Sequence, residues 1–227
     1  MHPSALKFGK RFFDVYATAP GTVIDIGAQD VNGSLKDVCP KRLKYVGVDF
    51  AAGKGVDVIL QDPYKLPFKD RSADFVVSSS CFEHSEMFWL LFLEILRILK
   101  PEGLFYLNAP SNGVFHRYPV DCWRFYPDSG RALVKWGERN GYAPLLLESF
   151  IGAQDRDSWN DFVAVFVRER KLAARHPRRI LDHHPQAANA FRAGSDEILN
   201  HSELTEDQKR RALILKVASG AIKLKRP

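Results

Sequence analysis

Five short apolar segments recur through the first half of the chain, and they restrict its fold more than any other feature. Their residues hardly alternate between apolar and polar, which is typical of strands whose two faces are both covered by helices. The segments are Thr22–Gly27, Lys44–Asp49, Val56–Gln61, Ala73–Ser78 and Gly103–Ala109, with later strands predicted at Leu145–Ile151 and Phe162–Val167. Helical patterns lie around them, at Ser4–Thr18, Ser85–Leu99 and Pro127–Asn140. Repeated strand–helix units predict an α/β fold with a doubly wound, mostly parallel, seven-stranded sheet.

The sequence changes character after Val167. Residues 168–227 contain 14 lysines and arginines against 7 acidic residues, so they account for the whole positive net charge of the chain, +6. We therefore divide the chain into a domain over residues 1–168 and a basic, helical C-terminal extension over residues 169–227. A basic extension suits acidic membranes, nucleic acid or acidic partners, although a solvated helical face explains the charge more simply.

Two helices are predicted in the extension, over Gln186–Asn200 and Thr205–Leu224. Thr205 begins the second helix, because its hydroxyl can cap the first turn and acidic residues follow it. We predict that residues 205–226 form an amphipathic helix. Such a helix would serve in self-association, giving a homo-oligomer, or in peripheral membrane contact.

Composition indicates what kind of protein this is and where in the cell we expect it. A mean hydropathy of -0.24 with 45% hydrophobic residues indicates a globular protein with a sizeable core. No apolar run reaches the roughly 18 residues needed to cross a bilayer, and the N-terminal residues lack a secretory signal pattern. Three cysteines without C-x-x-C spacing argue against disulfides, so we expect a cytoplasmic protein. No metal site is predicted, since His183, His184 and His201 have no carboxylate partners at fixed spacing.

Acidic residues stand at the ends of the first three predicted strands. Asp25 and Gly27 belong to the D-I-G ending of the first strand, Asp49 closes the second and Asp62 closes the third. Because the carboxyl ends of parallel strands meet at one edge of a doubly wound sheet, these carboxylates are expected to share a pocket. A carboxylate after the second strand suits the hydroxyls of a ribose, so the pattern predicts a nucleoside site. Taken singly, each acid is better explained by the capping of a neighbouring helix, whereas the three together favour the nucleoside site.

These acids belong to five ordered motifs that resemble the class I S-adenosylmethionine-dependent methyltransferases, a Rossmann-like family, in their type 11-like branch. The motifs are D-I-G at Asp25–Gly27, V-D at Val48–Asp49, D-x-x-x-L-P-F at Asp62–Phe68, D-F-V-V-S at Asp74–Ser78 followed by Glu83-His84, and L-R-I-L-K-P-E-G-L at Leu96–Leu104. The resemblance covers residues 20–110 and implies S-adenosylmethionine as cofactor. It implies that Asp25 and Gly27 lie beside the methionine part, that Asp49 holds the ribose and that Asp62 holds the adenine amino group. The wider cofactor set that it implies is Ala28, Gln29, Phe50, Pro63, Ser78 and Ser79.

Gln29 departs from the family pattern, which has glycine at this position. The changed loop and the basic extension keep open a second hypothesis, a non-catalytic module that binds cofactor or acts as a scaffold. A nicotinamide-dependent oxidoreductase is disfavoured, because the further glycines of a pyrophosphate loop are missing and Asp62 is acidic. A nucleic-acid methyltransferase is also disfavoured and no nucleic acid is expected as partner, because the body is slightly acidic and lacks a base-flipping motif.

The segment Ser111–Asp128, just after the fifth strand, concentrates the residues that suit a methyl acceptor. His116 is the first choice for a general base, with Asp121 to orient its imidazole and His84 as the second choice. The H…P-x-D-x-W-R-F pattern in this segment is similar to methyltransferases of bacterial surface-glycan gene neighbourhoods. That similarity implies O-methylation of a hydroxyl on a glycan or another polar small molecule, in polysaccharide biosynthesis.

Four further side chains of this segment are expected to bind the acceptor: Arg117, Tyr118, Trp123 and Arg124. Aromatic rings stack on sugars, and charged groups bind hydroxyls or carboxylates. The alternative is structural: Asp121 and Arg124 form an ion pair that orders the loop, and Trp123 anchors it in the core.

Overall fold

The described part of the chain, residues 2–154 and 159–223 of a computed structural model, contains an eight-stranded sheet. The strands are β1 (Gly21–Ile26), β2 (Leu43–Asp49), β3 (Val58–Ile59), β4 (Ala73–Ser79), β5 (Leu99–Pro110), β6 (Leu145–Ile151), β7 (Asp161–Val167) and β8 (Ala188–Arg192). The α-helices are α1 (Pro3–Tyr16), α2 (Phe88–Ile98), α3 (Ser129–Arg139) and α4 (Glu206–Ala218). The predicted strands and helices of residues 1–167 are therefore present, although β3 is reduced to two residues at the edge of the sheet.

The strand order is β3-β2-β1-β4-β5-β7-β6-β8. Strands β1 to β5 are parallel, β7 is antiparallel to β5 and β6, and β8 is antiparallel to β6. The chain leaves β1 towards β2 and β3 and returns to β4 on the other side of β1. In a doubly wound sheet this reversal leaves a crevice outside the carboxyl ends of β1 and β4, where ligands bind. The predicted doubly wound, mostly parallel sheet is confirmed, with eight strands in place of seven.

Both faces of the sheet are buried, which explains why the strands are apolar throughout. Along β1, Val23 belongs to the hydrophobic cluster that contains Phe12 of α1, whereas Ile24 belongs to the cluster that contains Phe92 of α2 and Leu133 of α3. Successive side chains of a strand point to opposite faces, so both positions need apolar residues when helices cover both faces. This packing fixes the sheet edge at which the polar strand ends collect.

The predicted helix over Gln186–Asn200 is wrong. Residues Ala188–Arg192 form β8, which pairs with β6 at the edge of the sheet, and Ala190 is buried in the cluster beneath α1. Ile180 and Leu181, in a short 3-10 helix, are buried in the same cluster. The backbone of β6 offers hydrogen bonds that a helix over these residues could not use, so tertiary pairing overrides the local preference. The sheet and its core thus continue beyond residue 168.

The helix predicted from Thr205 is present as α4, and its start is capped as predicted. The Thr205 hydroxyl accepts a hydrogen bond from the backbone N–H of Gln208, whose side chain in turn accepts one from the Thr205 backbone. The helix is not amphipathic, because Leu213, Ile214 and Leu215 are consecutive and exposed and so spread apolar surface around it. The helix ends at Ala218, so its predicted continuation over residues 219–223 is wrong, and residues 224–226 lie outside the described residues. Among the described helices, none has the length and apolar character to span a membrane.

Candidate active site

A cavity of about 710 Å³ opens at the carboxyl ends of β1, β2 and β4. Its volume falls within the range of small-molecule and cofactor sites. Twelve of the side chains or backbone positions named from the sequence line it: Asp25, Gly27, Ala28, Gln29, Asp49, Phe50, Pro63, Ser79, His84, His116, Arg117 and Tyr118. Two of the four expected acceptor residues, Arg117 and Tyr118, therefore border the same space as the strand-end residues Asp25 and Asp49.

The loop after β1 forms one wall of this cavity and depends on Gly27. Its backbone has φ +81°, a left-handed conformation that glycine adopts without strain. A Cβ at this position would lie 2.5 Å from the Cβ of Cys81, so no side chain fits. The backbone N–H groups of Gly27 and Ala28 both donate to the carbonyl of Val48, which holds the loop against β2. Gly27 thus leaves bare backbone facing the cavity, as close approach of a ligand requires.

Asp25 lies at the base of the cavity and is buried. The hydroxyl of Tyr45 donates a 2.6 Å hydrogen bond to its carboxylate. Burial, with a smaller contribution from the negative charge of Asp49, raises the pKa of Asp25 to about 7. A cationic group that approaches this carboxylate would favour its charged form.

Asp49 and Gln29 connect the ends of β1 and β2. The Asp49 carboxylate accepts hydrogen bonds from the backbone N–H of Gln29 at 3.1 Å and of Phe50 at 2.8 Å. These bonds orient the carboxylate without using all of its acceptor sites, so it can still receive hydroxyl donors. The Gln29 amide reaches the Ala52 carbonyl on one side and the Tyr118 hydroxyl on the other. It lies along the rim in contact with neighbouring loops.

Two histidines and a glutamate meet beside the loop after β4. The rings of His84 and His116 are edge-to-face with centroids 4.9 Å apart, and Glu83 Oε1 lies 3.7 Å from His84 Nε2. His84 Nδ1 is 2.5 Å from the carbonyl of Val120. Burial lowers the pKa of His84, and burial raises the pKa of Glu83 to about 8. Glu83 belongs to the Glu83-His84 motif, but no role in the site is predicted for it from the sequence. Its position directly before His84 is the sequence feature that could have indicated one.

Asp121 contacts His116 as predicted, but its main partner is Arg124. Arg124 donates two hydrogen bonds to its carboxylate, at 2.6 and 2.9 Å, and holds its pKa down at about 2. The same carboxylate accepts a 2.7 Å hydrogen bond from the backbone N–H of His116, and His116 Nδ1 lies 3.5 Å away. Neither Asp121 nor Arg124 lines the cavity. The geometry matches the structural alternative, an ion pair that orders the loop.

Three other predicted site residues lie outside the cavity, each for a local reason. Asp62 is exposed, and one of its oxygens accepts a hydrogen bond from the Tyr64 backbone N–H. Ser78 is fully buried and donates to the carbonyl of Ile26 within the sheet. Trp123 packs edge-to-face on Phe88 and donates its indole N–H to the Ser85 carbonyl. Neighbouring backbone therefore already engages the polar groups assigned to the cofactor or acceptor.

The N-terminal end of α1 also reaches the cavity, which the sequence did not predict. His2 lines it, with its ring 4.7 Å from Trp159, and Trp159 is 5.1 Å edge-to-face from His116. Cys81 lines it as well, and burial raises the pKa of its thiol. Cys81 therefore stays a protonated thiol and not a nucleophile at neutral pH.

The sheet order, the glycine loop and the strand-end acids Asp25 and Asp49 form a doubly wound α/β domain with a cavity of suitable size for a small molecule. Residues 12–107 match the sequence profile of the family described as "Methyltransferase domain". The match extends over β1 to β4 and most of β5, so this part of the chain is similar to a methyltransferase domain. The residues present fit S-adenosylmethionine as cofactor, since Gly27 lines the cavity with backbone alone and Asp49 presents an oriented carboxylate to it.

Curated relatives and solved structures share this domain. The chain is 31% identical over 96 residues to the phthiotriol/phenolphthiotriol dimycocerosates methyltransferase of Mycobacterium tuberculosis, a match that covers 40% of this chain and 32% of the relative's length. The 1,6-didemethyltoxoflavin-N1-methyltransferase of Burkholderia thailandensis, solved with S-adenosylhomocysteine, has a TM-score of 0.56 at 14% identity, covering 73% of this chain and 79% of its own. A SAM-dependent methyltransferase from Methanosarcina mazei has a TM-score of 0.51 at 13% identity, covering 74% and 98%. At these identities the structural likeness concerns the fold.

Proposed function

We propose that the protein transfers a methyl group from S-adenosylmethionine to a hydroxyl of a polar small molecule or glycan. The observation that carries this proposal is the single cavity that joins the strand-end carboxylates Asp25 and Asp49 to the imidazoles of His84 and His116. A cofactor seated at one end and an acceptor at the other would then meet within one enclosed space.

The cofactor half of the cavity uses backbone and carboxylates. Asp49 accepts the ribose hydroxyls, the bare backbone at Gly27 permits close approach of the methionine part, and the buried Asp25 lies beneath it. When bound, the cofactor would supply an electrophilic methyl group: the acceptor oxygen would bond to the methyl carbon, and the electron pair of the methyl–sulfur bond would remain on sulfur. The remaining assignments, Ala28, Phe50, Pro63 and Ser79, stay part of this proposal as residues that line the cavity.

The acceptor hydroxyl must lose its proton as it is methylated, and the imidazoles are placed to take it. His84 now ranks before His116, because the Val120 carbonyl holds a proton on Nδ1 and leaves the lone pair on Nε2. Its lowered pKa keeps the ring neutral and therefore able to accept a proton. His116, half-exposed beside it, is the second candidate.

Arg117 and Tyr118 favour a polar acceptor. Both are exposed at the rim of the cavity, where a guanidinium and a phenol offer hydrogen bonds to hydroxyl or carboxylate groups. The match to the curated relatives covers only a third of their length, so the choice of acceptor rests on these residues. A role in polysaccharide biosynthesis in the cytoplasm completes the proposal.

Two measurements test it. Calorimetric titration with S-adenosylhomocysteine, with NAD as control, should show binding of the first alone, and binding of NAD alone would revive the oxidoreductase hypothesis.

Transfer of labelled methyl to a panel of methyl hexosides and hydroxy acids should then be detected for the unmodified protein. The variant His84→Gln should lose at least about tenfold in rate, whereas the control His183→Gln, on an exposed tail position, should not. Binding without transfer to any acceptor would favour the non-catalytic alternative.

The role of the C-terminal extension stays a prediction. Self-association or membrane contact through α4 would require its exposed apolar side chains Leu213, Ile214 and Leu215. Replacing these three by serine should lower the oligomeric mass or the binding to anionic vesicles. Unchanged mass together with unchanged vesicle binding would refute the predicted role.

A further inference from the structure

We propose that Glu83, His84 and His116 form a binding site for one divalent transition-metal ion of the zinc type, with an open coordination position that faces the cavity. No metal site is predicted from the sequence, where the histidines considered as ligands are His183, His184 and His201 of the C-terminal extension. Folding brings His116 to the Glu83–His84 pair from a loop 32 positions further along the chain.

The distances suit a shared ion. One ligand atom from each of the three side chains lies within 4.8 Å of the others, and Glu83 Oε1 is 3.7 Å from His84 Nε2. Two ligands of a tetrahedral zinc ion, each bonded at about 2.0–2.1 Å, are separated by about 3.4 Å. Small side-chain rotations therefore suffice to bring the three groups onto one ion.

Both imidazoles are oriented in the way that metal ligands are. His84 Nδ1 lies 2.5 Å from the Val120 carbonyl, and His116 Nδ1 lies 3.2 Å from the Val114 carbonyl and 3.5 Å from the Asp121 carboxylate. Metal-binding histidines characteristically donate one ring N–H to a carbonyl or carboxylate, which leaves the other nitrogen for the ion. Here that arrangement leaves Nε2 of both rings for the metal.

The burial of the Glu83 carboxylate supports the metal site independently of the distances between the ligands. The side chain is 1% exposed, and its Oε2 has no hydrogen-bond partner among the described residues. Within the described ranges no lysine or arginine forms an ion pair with Glu83, and Arg124, in the segment after β5, pairs with Asp121. A buried carboxylate without a partner is costly, and a bound cation would compensate that cost.

The donor set selects the ion. Two imidazole nitrogens and one carboxylate suit zinc, manganese, iron or cobalt in the divalent state, whereas magnesium and calcium prefer oxygen ligands throughout. Three protein ligands leave a further position, and His84 and His116 both line the cavity. An oxygen of the methyl acceptor would occupy that position, so this last step rests on the proposed function, while metal binding itself does not. In the loaded protein the ion would lower the pKa of a bound hydroxyl, a role that would otherwise fall to an imidazole.

The test measures metal directly on the full chain, without S-adenosylmethionine. Protein stripped with a chelator is titrated with Zn²⁺ by calorimetry and with Co²⁺ by visible absorption, which reports coordination geometry. We expect one ion per chain, and at least about tenfold weaker binding in Glu83→Gln, His84→Gln and His116→Gln. The matched controls Glu197→Gln and His183→Gln, at exposed positions away from the cavity, should bind like the unmodified chain.

The outcomes separate this proposal from the proposed function. Failure to bind one ion, or loss of binding in His183→Gln but not in Glu83→Gln, would overturn the metal site. Thermal unfolding of each variant checks that it is folded, and His116→Gln, on a half-exposed loop, keeps the test valid if a buried variant does not fold. Titration with S-adenosylhomocysteine is scored independently, so metal binding can stand while cofactor binding fails, or the reverse.

Discussion

The hydroxyl of Tyr118 donates a 3.1 Å hydrogen bond to the side-chain oxygen of Gln29, across the rim of the cavity. The two residues are 89 positions apart, one in the loop after β1 and the other in the segment after β5. Gln29, the residue that departs from the glycine pattern of the motif, thus forms a contact between the loop after β1 and the segment after β5. Both residues line the cavity, so the bond bridges its rim.

Removing this bond should shorten the lifetime of bound cofactor. In Tyr118→Phe we expect the dissociation rate of S-adenosylhomocysteine to rise about two- to fivefold, as suits the loss of one exposed hydrogen bond. Stopped-flow displacement measures that rate. Tyr126→Phe, an exposed tyrosine that does not line the cavity, is the matched control. Equal rates in both variants would show that the bond does not hold the rim closed.

Gly27→Ala should abolish cofactor binding. Gly141→Ala is a precise control, because the two glycines have φ +81° and +82° and a Cβ at Gly141 meets nothing within 4 Å. Both variants should lose about 1–2 kcal/mol of unfolding free energy from backbone strain. Only Gly27→Ala adds a clash with Cys81 and disturbs the cavity wall. Chemical denaturation and calorimetry measure the two effects, and retained binding in Gly27→Ala would contradict the assignment of this wall.

Asp25 should make the cofactor-free protein less stable as pH rises. Its pKa is about 7 in the folded chain and about 4 in the unfolded chain, so between these values the folded state binds the extra proton. Stability from this group is therefore full below about pH 4 and is lost as pH rises through about 7. The groups that face it, Tyr45, Asp49 and Cys81, are common to both proteins compared next.

The comparison is with Asp25→Asn, which cannot ionise and keeps an acceptor for Tyr45. Relative to the unmodified protein, this variant should gain unfolding free energy as pH increases from about 4 to 8, by an amount on the order of 4 kcal/mol at most. Urea denaturation at several pH values measures the difference. A difference that does not vary with pH would contradict the raised pKa.

Asp49 and Asp62 should differ in their effect on cofactor affinity. Asp49→Asn removes the charge of a carboxylate that lines the cavity, so the Kd of S-adenosylhomocysteine should rise at least about tenfold. Asp62→Asn changes an exposed side chain that caps the Tyr64 backbone, and its Kd should change about twofold or less. Calorimetric titration measures the Kd of S-adenosylhomocysteine for both variants. A large loss in Asp62→Asn would restore the adenine contact inferred from the motifs.

The sequence by itself determined the sheet and the edge at which the cavity opens. Apolar residues on both faces of a strand leave no alternation, so the run around Val23 and Ile24 identifies a strand covered on both sides. Parallel connections then bring the carboxyl ends of consecutive strands together, which places Asp25 and Asp49 at one cavity without knowledge of any contact. These features follow from local periodicity and a general rule of topology.

Only the tertiary structure decided which polar groups face the cavity. Asp49 and Asp62 are both predicted to close strands, but β2 does end at Asp49 whereas β3 ends at Ile59, and Asp62 lies exposed in the loop beyond it. Ala188–Arg192 joins the sheet because β6 offers a free edge, a contact 37 or more positions away in sequence that periodicity does not report.

Contacts between residues distant in the sequence also bring Glu83, His84 and His116 together. His116 reaches the pair because the Asp121–Arg124 ion pair and the packing of Trp123 on Phe88 fold its loop over the end of β4. Such loop contacts depend on side chains far apart in the chain and on their mutual burial. Short-range sequence patterns carry no information about that burial. The cluster of potential metal ligands is therefore recognised only in the folded protein.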